Sequence, residues 1–270
     1  MTDIAASIAP PAATTADRQP PALPNLLRSE WAKLASVRST YWSVLVAVAG
    51  MIVIGLGGAI GAARAAHQLA SFDPISASIG GFVLAQVALG VLGVLAVTSE
   101  YSTGMIRSTF TAAPQRGTVI AAKGAVFGAA SFAVGAVVSL FTFLVGQAIL
   151  GDRGVSLGAP GALRAVIGVG LYLGLLGILA VGLGTIIRRS AGAIAVLLGL
   201  LFVLPAFAGL LPASIRDTVT KLLPYNAGQA IFKTANTRLT LSAPLGLAVF
   251  ALYALAALTI GTFLVRRRDA

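Results

Sequence analysis

Six long apolar runs separated by polar segments dominate the pattern of the chain. They lie at about 42–62, 79–98, 122–150, 165–187, 191–211 and 245–265. A helix of 21 residues rises about 31 Å, enough to cross the hydrocarbon layer of a bilayer. Because backbone groups inside lipid must pair within their own segment, these runs are predicted to be helices. The predicted fold class is all-α: a polytopic membrane protein whose six transmembrane helices form one domain over 42–268.

An amphipathic segment, NLLRSEWAKLASVRSTY at 25–41, precedes the first run. Apolar side chains recur there at helical spacing and cover about 120° of a helical wheel; they are Leu27, Trp31, Leu34, Val37 and Tyr41. The charged side chains fall mostly elsewhere; they are Arg28, Glu30, Lys33 and Arg38. A basic amphipathic helix before a span is predicted to lie in the membrane interface, with Leu27, Trp31, Lys33 and Leu34 as its contact residues. The alternative is a plain start to the first span.

Residues 1–24 are rich in proline and alanine and contain no apolar block. A signal peptide needs a basic start and a continuous hydrophobic region, whereas here Asp3 comes first and prolines interrupt. This segment is predicted to be a disordered cytoplasmic tail.

The basic residues predict the orientation of the spans. Six spans place both ends of the chain on one side, and the segments on that side hold 12 basic residues against 7 on the other. The first set is Arg18, Arg28, Lys33, Arg38, Arg107, Arg116, Lys123, Arg188, Arg189 and Arg266 to Arg268. The second set is Arg64, Arg153, Arg164, Arg216, Lys221, Lys233 and Arg238. The positive-inside rule therefore predicts cytoplasmic N- and C-termini.

Composition supports a membrane protein. Hydrophobic residues make up 57% of the chain and charged residues 10%, against roughly 25% charged in soluble domains. The net charge of +11 could suggest nucleic acid, but aromatic residues are few and 266–268 is the longest basic run, so no nucleic-acid partner is predicted. The excess of arginine over lysine, 15 to 4, is typical of a GC-rich bacterial genome. A multi-pass protein of the bacterial plasma membrane is expected.

Several residue patterns concern helix packing and the loops. Three glycine pairs spaced by four residues, at 57 and 61, 124 and 128, and 170 and 174, allow close helix approach within the chain or between subunits. Pro205 should kink the fifth span. The longest internal loop, 212–244, is predicted to form short helices folded against the outer surface.

No residue set supports catalysis or a metal site. The chain has no cysteine, one histidine (His67) and two glutamates, so no metal site is predicted. Gly154-Val155-Ser156-Leu157-Gly158 matches G-x-S-x-G, but the histidine precedes it and a hydrolase needs one downstream. A P-loop string is absent from the sequence, so ATP hydrolysis by that route needs another chain. The six runs also contain no carboxylate that could relay protons.

The connection between the second and third runs, SEYSTGMIRSTFTAAPQRG at 99–117, carries more specific residues than a loop needs. Gly104 can end one helix and Pro114 can open the next. Between them, MIRSTFTAA is long enough for a helix of about two turns with Met105, Ile106 and Phe110 as an apolar patch. Glu100 and Arg107 would pair two turns apart if Gly104 did not interrupt the helix.

These residues resemble a known family. Glu100, Thr103-Gly104, Ile106-Arg107, Pro114, Arg116 and Lys123 are similar to the pattern between the second and third spans of type-2 ATP-binding-cassette (ABC) permeases, the membrane subunits of drug and antibiotic exporters. The leader NLLRSEWAKLASVRST and LLPYNAGQAI at 222–231 also agree. The resemblance covers roughly 25–268.

The resemblance implies a permease subunit that pairs with a second copy or a paralogue and binds cytoplasmic ATPase subunits. It implies that 25–40 is the interfacial connecting helix. It also implies an ATPase-coupling segment made of Glu100, Thr103, Gly104, Ile106, Arg107, Phe110, Pro114 and Arg116. The chain would have no catalysis and bind no cofactor itself, and the partner ATPase would use ATP and Mg. The exported cargo would be a small molecule, drug, peptide or lipid-like substrate.

Two other classes of function stay open. A secondary transporter or channel predicts transport without an ATPase. A non-transporting scaffold or stress-sensing component predicts no flux even when an ATPase is present.

Overall fold

The computed structural model describes residues 23–65, 72–112, 115–234 and 237–267, and within these ranges the chain forms helices and no strands. Six helical stretches are long and apolar enough to cross a membrane: Arg38–Ala65, Phe82–Ser102, Arg116–Arg153, Ala162–Ile187, Ser190–Ala208 and Ala243–Arg267. The prediction of an all-α polytopic membrane protein with six transmembrane helices is confirmed. The predicted tail lies outside the described residues except for its last two positions.

Twelve α-helices occur in the described ranges. They are α1 (Leu23–Ser36), α2 (Arg38–Ala65), α3 (Pro74–Ile79), α4 (Phe82–Ser102), α5 (Met105–Ala112), α6 (Arg116–Leu150), α7 (Ala162–Ile187), α8 (Ser190–Leu198), α9 (Leu204–Ala208), α10 (Ala213–Leu222), α11 (Pro224–Gln229) and α12 (Ala243–Arg267). A 3₁₀ turn, Gly151–Arg153, follows α6. The spans are apolar on all sides, whereas α1, α5 and α10 have one apolar and one polar face.

Helix α7 is the centre of the bundle. In its most apolar stretch 78% of the residues are buried, against 28% in α2 and 22% in the fifth span. Helices α4, α6 and α12 pack around it, and Tyr172, Leu173 and Leu176 on α7 are completely buried. The outer spans therefore keep most of their apolar surface for contacts outside this chain.

Two of the three glycine pairs serve packing within the chain. A methyl group at Gly174 would lie 3.1 Å from the carbonyl oxygen of Gly128, so these two glycines bring α6 and α7 together. A methyl group at Gly124 would instead lie 3.1 Å from Leu258 of α12. Gly57 and Gly61 differ, because a methyl group at either would meet no described atom within 4 Å. Of the three pairs, only this one leaves open space on the surface of the described bundle.

The fifth span is interrupted, as Pro205 predicts, but the interruption begins before the proline. A π-helical segment, Gly199–Val203, joins α8 to α9, and Pro205 lies in the first turn of α9. A proline ring clashes with the carbonyl four residues earlier in a regular α-helix. Leu201 is four residues before Pro205 and lies in the π-helical segment, where the wider turn changes the register of the backbone hydrogen bonds.

The outer loop contains one surface helix and one buried helix. Helix α10 has no buried residue, as expected for a helix on the outer surface. Helix α11 instead enters the core, where a methyl group at Gly228 would lie 2.7 Å from the ring of Tyr172. The predicted short helices form, but α11 packs into the core and does not fold against the outer surface as expected. Its small residues, Ala227 and Gly228, allow the insertion.

Candidate functional site

The candidate site lies where α1, α5, the end of α4, the start of α6 and the end of α12 meet. We call this region the basic end, and the charge pattern predicts that it faces the cytoplasm. Helix α4 ends at Ser102, and Thr103 caps it by donating from its backbone N–H and its hydroxyl to the carbonyl of Ser99, at 3.0 and 2.8 Å. Gly104 follows with φ of +72°, a conformation that glycine adopts without strain. The chain therefore turns sharply and α5 begins at the next residue.

Helix α5 is attached to the bundle by its apolar face. Ile106 and Phe110 are 2% and 7% exposed, and they pack in a small core with residues of three other helices. The other members of this core are Leu26 of α1, Val119, Ile120 and Ala122 of α6, and Val265 of α12. Met105, predicted to share the patch, is 45% exposed. The apolar face of α5 is thus used within the chain and does not form a free docking patch.

The opposite face of α5 is polar and exposed. Arg107, Ser108 and Thr111 are exposed there. Arg116, at the start of α6, lies with its guanidinium carbon 5.3 Å from the centre of the Phe110 ring, a cation–π contact. Pro114 lies outside the described residues. The surface of α5 available to a partner is therefore basic and hydroxylated.

Four charged side chains form a buried network beside α5. The Lys123 ammonium lies 2.5 Å from Glu30 Oε2 and 2.8 Å from Glu100 Oε1. Lys33 lies 2.7 Å from Glu30 Oε1 and 3.3 Å from Glu100 Oε1. The side chains of Glu30, Glu100 and Lys123 are only 3–4% exposed, and that of Lys33 is 33% exposed. Both glutamates and two of the four lysines of the chain thus meet at one point.

The network joins three helices, and the formal charges of its two glutamates and two lysines cancel. Glu30 and Lys33 belong to α1, Glu100 to α4 and Lys123 to α6. Burial alone would lower the pKa of Lys33, but hydrogen bonds and charge attraction from Glu30 and Glu100 outweigh burial and raise that pKa. An intact buried ion pair contributes little net stability, whereas removing one partner leaves a costly uncompensated charge. The ion pairs therefore link the ends of α1, α4 and α6.

Glu100 and Arg107 do not pair, because Gly104 interrupts the helix between them. Glu100 pairs with Lys123 and Lys33, whereas Arg107 is exposed on α5. The turn at Gly104 separates the two helices, so the seven-residue spacing no longer places the two side chains on one face. Glu100 is therefore part of the buried network, whereas Arg107 is an exposed surface residue.

The buried and exposed side chains of α1 differ from those that its helical wheel predicts. Glu30, which the wheel places away from the apolar stripe, is buried because it meets Lys123. Leu27 and Leu34 are half-buried against their own chain, whereas Trp31 is 57% exposed.

Helix α1 also ends earlier than predicted, at Ser36. Val37 and Tyr41 therefore lie beyond it, and both are exposed. Trp31, Tyr41 and Trp42 are exposed aromatic residues at the basic end, and such residues are enriched at membrane–water boundaries.

A cavity of about 220 Å³ lies beside the network. The four network residues line one part of it, and three hydroxyl-bearing residues, Ser39, Thr40 and Ser99, line another. The remaining wall is apolar: Leu34, Val37, Leu92, Leu95, Ala96, Met105 and Val126. Space therefore exists between α1 and α4 beside the ion pairs.

Sequence reasoning missed two features of this site. Glu30 appeared only as a charge on a polar face, and Lys123 only as one of the basic residues that orient the spans and as part of the family pattern. A usable signal was present, because the two glutamates and Lys123 all lie at one predicted membrane surface. Arg266 of α12 also reaches the basic end, where its guanidinium lies against Gly117 of α6.

Comparison with known families identifies the chain. Residues 26–206 match the model described as ABC-2 family transporter protein. The match includes α1, the ion-pair network, α5, the first four spans and most of the fifth. A search of curated proteins found no match. Because the family model covers more than half of the sequence, the chain belongs to the ABC-2 family of transporter proteins.

Proposed function

We propose that this chain is the permease subunit of an ABC exporter, and that its basic end couples ATP hydrolysis by a separate ATPase subunit to export. One observation carries the proposal. Helix α5 lies between the ends of two spans and is joined through Phe110 to the start of α6, while the network ties those same spans to α1. A force applied to α5 would therefore reach α1, α4 and α6 together.

The proposed motor is a different polypeptide. The sequence has no P-loop, so ATP and Mg would act on the partner ATPase and not on this chain. The polar face of α5, with Arg107, Ser108 and Thr111, is exposed, so a partner can reach it. The ABC-2 membership supports such a pairing, because permeases of this family typically work with an ATPase subunit.

A second permease, either another copy or a paralogue, would complete the transporter. Supporting this, α2, the fifth span and α12 each bury only 22–28% of their most apolar stretch within the chain. Val53 on α2 is 70% exposed and lies close in sequence to the open glycines Gly57 and Gly61. The proposed cargo is a small molecule, drug, peptide or lipid-like substrate, moved outward across a bacterial plasma membrane.

The experiment uses the chain with its co-purified ATPase in lipid nanodiscs. The protein has no cysteine, so cysteines introduced at the exposed positions Ser156 and Thr218 can carry spin labels without background. We expect ATP with Mg to change the distance between labels in the wild type. Arg107→Glu and Gly104→Pro should abolish the change while insertion is retained. Arg153→Glu, an exposed charge reversal at the opposite end, is the matched control and should behave like the wild type.

The results distinguish the classes of function. Purification without any ATPase would contradict the proposal, and transport by the lone chain in vesicles would assign a secondary transporter. An ATP-dependent change that survives both Arg107→Glu and Gly104→Pro would remove the coupling role from α5.

A further inference from the structure

A polar recess opens between the first turn of α6 and the last turn of α12. Its volume is about 460 Å³, and its lining is Gln115, Arg116, Gly117, Thr118 and Arg266. Two arginines from helices far apart in sequence thus line one concavity. The recess adjoins α5, because Arg116 also contacts the ring of Phe110.

The position of Arg266 is specified by its neighbours. A methyl group on Gly117 would lie 2.6 Å from Arg266 Nη2 and 2.8 Å from its Nε, so the guanidinium lies directly on the α6 backbone. The preceding residue, Val265, is 1% exposed in the small core that holds α5. Arg266 is therefore placed by packing on one side and by a glycine on the other.

The charge around this recess is unbalanced among the described residues. The two described carboxylates at the basic end, Glu30 and Glu100, are buried in ion pairs with lysines. The other described carboxylates, Asp73, Asp152 and Asp217, lie near the opposite ends of the spans. Several exposed arginines at the basic end have no such neutralising partner there: Arg28, Arg38, Arg107, Arg266 and Arg267. Such a surface favours an anionic partner.

We infer that the recess and the polar face of α5 form one docking surface for an acidic segment of the ATPase subunit, with a carboxylate held between Arg116 and Arg266. This inference rests on the proposed function and adds α12 to the coupling segment. Guanidinium groups bind carboxylates through paired, charge-assisted hydrogen bonds, so two arginines in one concavity suit a carboxylate, and no described carboxylate lines the recess. The last span would then be contacted by the motor along with α4, α5 and α6.

The test compares charge reversal at two adjacent arginines of α12. Arg266 lines the recess, whereas Arg267 lies outside it, with its guanidinium carbon 4.3 Å from the centre of the Phe263 ring. Association of the purified ATPase with the full chain is measured in nanodiscs of zwitterionic lipid, which removes anionic lipid headgroups as competitors. We expect Arg266→Glu and Arg116→Glu each to weaken association by about tenfold or more, and Arg267→Glu by no more than about threefold. Raising the salt concentration should weaken wild-type association and change that of Arg266→Glu less.

The outcomes separate this inference from the proposed function. Absence of wild-type association with any ATPase would remove the proposed function and this inference together. Wild-type association with equal effects of Arg266→Glu and Arg267→Glu would show that net charge alone matters and would overturn the docking recess only. Association that occurs only when anionic lipid is added would assign the arginines to the membrane surface and overturn the inference in the same way.

Discussion

Lys123 and Glu30 are 93 positions apart in the chain, and their charged atoms lie 2.5 Å apart in a site that is almost closed to solvent. The contact fastens the helix before the first span to the start of the third. Charged groups in an otherwise apolar bundle are costly unless they are paired, so the pair also restricts how α1 and α6 can be arranged.

Lys123→Met is expected to destabilise the protein because it leaves Glu30 and Glu100 buried without their shared partner. Removing one member of a buried ion pair typically costs about 3–5 kcal/mol. The measurement is thermal unfolding of the purified chain in one detergent. Lys221→Met, a lysine of the solvent-exposed helix α10, is the matched control and should change the midpoint little. Equal midpoints for Lys123→Met and the wild type would contradict the buried network.

Hydropathy was sufficient to predict the six spans, because each must satisfy its backbone within lipid whatever its neighbours are. The short helix α5 was also predictable, since Gly104 is a local stop signal. The burial of Glu30 was not predictable from the helical wheel, because a wheel assigns a charge to the solvent face and cannot include a lysine from another helix. The insertion of α11 likewise depends on a ring, Tyr172, that only the assembled bundle places there.

Gly104→Ala should perturb the turn between α4 and α5 through backbone conformation alone. The residue has φ of +72°, and no described atom lies within 4 Å of an added methyl group, so the cost is strain of about 1 kcal/mol and not a clash. Gly209→Ala is the matched control, because that exposed position has the same open space but an ordinary φ of −62°, and the change should be neutral or slightly stabilising. The comparison is made by thermal unfolding. A loss for Gly209→Ala as large as that for Gly104→Ala would show that the positive φ of Gly104 is not the cause.

Asp73 should make stability depend on acid pH. Burial alone would raise the pKa of this carboxyl, but hydrogen bonds from Ser76, Thr234 and the backbone of Ile75 outweigh burial and lower that pKa. A lowered pKa stabilises the fold above the ordinary aspartate pKa, and this contribution is lost as the pH falls through the lowered value. The thermal unfolding midpoint of the wild type should therefore decrease when the pH is lowered below about 4.

Asp73→Asn is the comparison for that pH profile. The amide does not titrate, so its midpoint should already be lower at neutral pH and should depend less on acid than that of the wild type. Asp217→Asn on the exposed helix α10 provides a control carboxyl. Parallel pH profiles for the wild type and Asp73→Asn would assign the acid sensitivity to other groups.

The hydrogen bond between Tyr172 and Gln86 provides the test of the bundle centre. The Tyr172 hydroxyl donates to Gln86 Oε1 at 2.6 Å, both side chains are completely buried, and Gln86 Nε2 has no hydrogen-bond partner among the described residues. Tyr172→Phe removes the donor and leaves the amide less satisfied, so we expect a loss of about 1–2 kcal/mol. Gln86→Leu instead removes the unpaired amide nitrogen along with the acceptor, and its effect should be smaller when Tyr172 is already phenylalanine. A double-mutant cycle on unfolding free energies measures this coupling, and strictly additive single-mutant effects would show that the bond contributes nothing to holding α4 against α7.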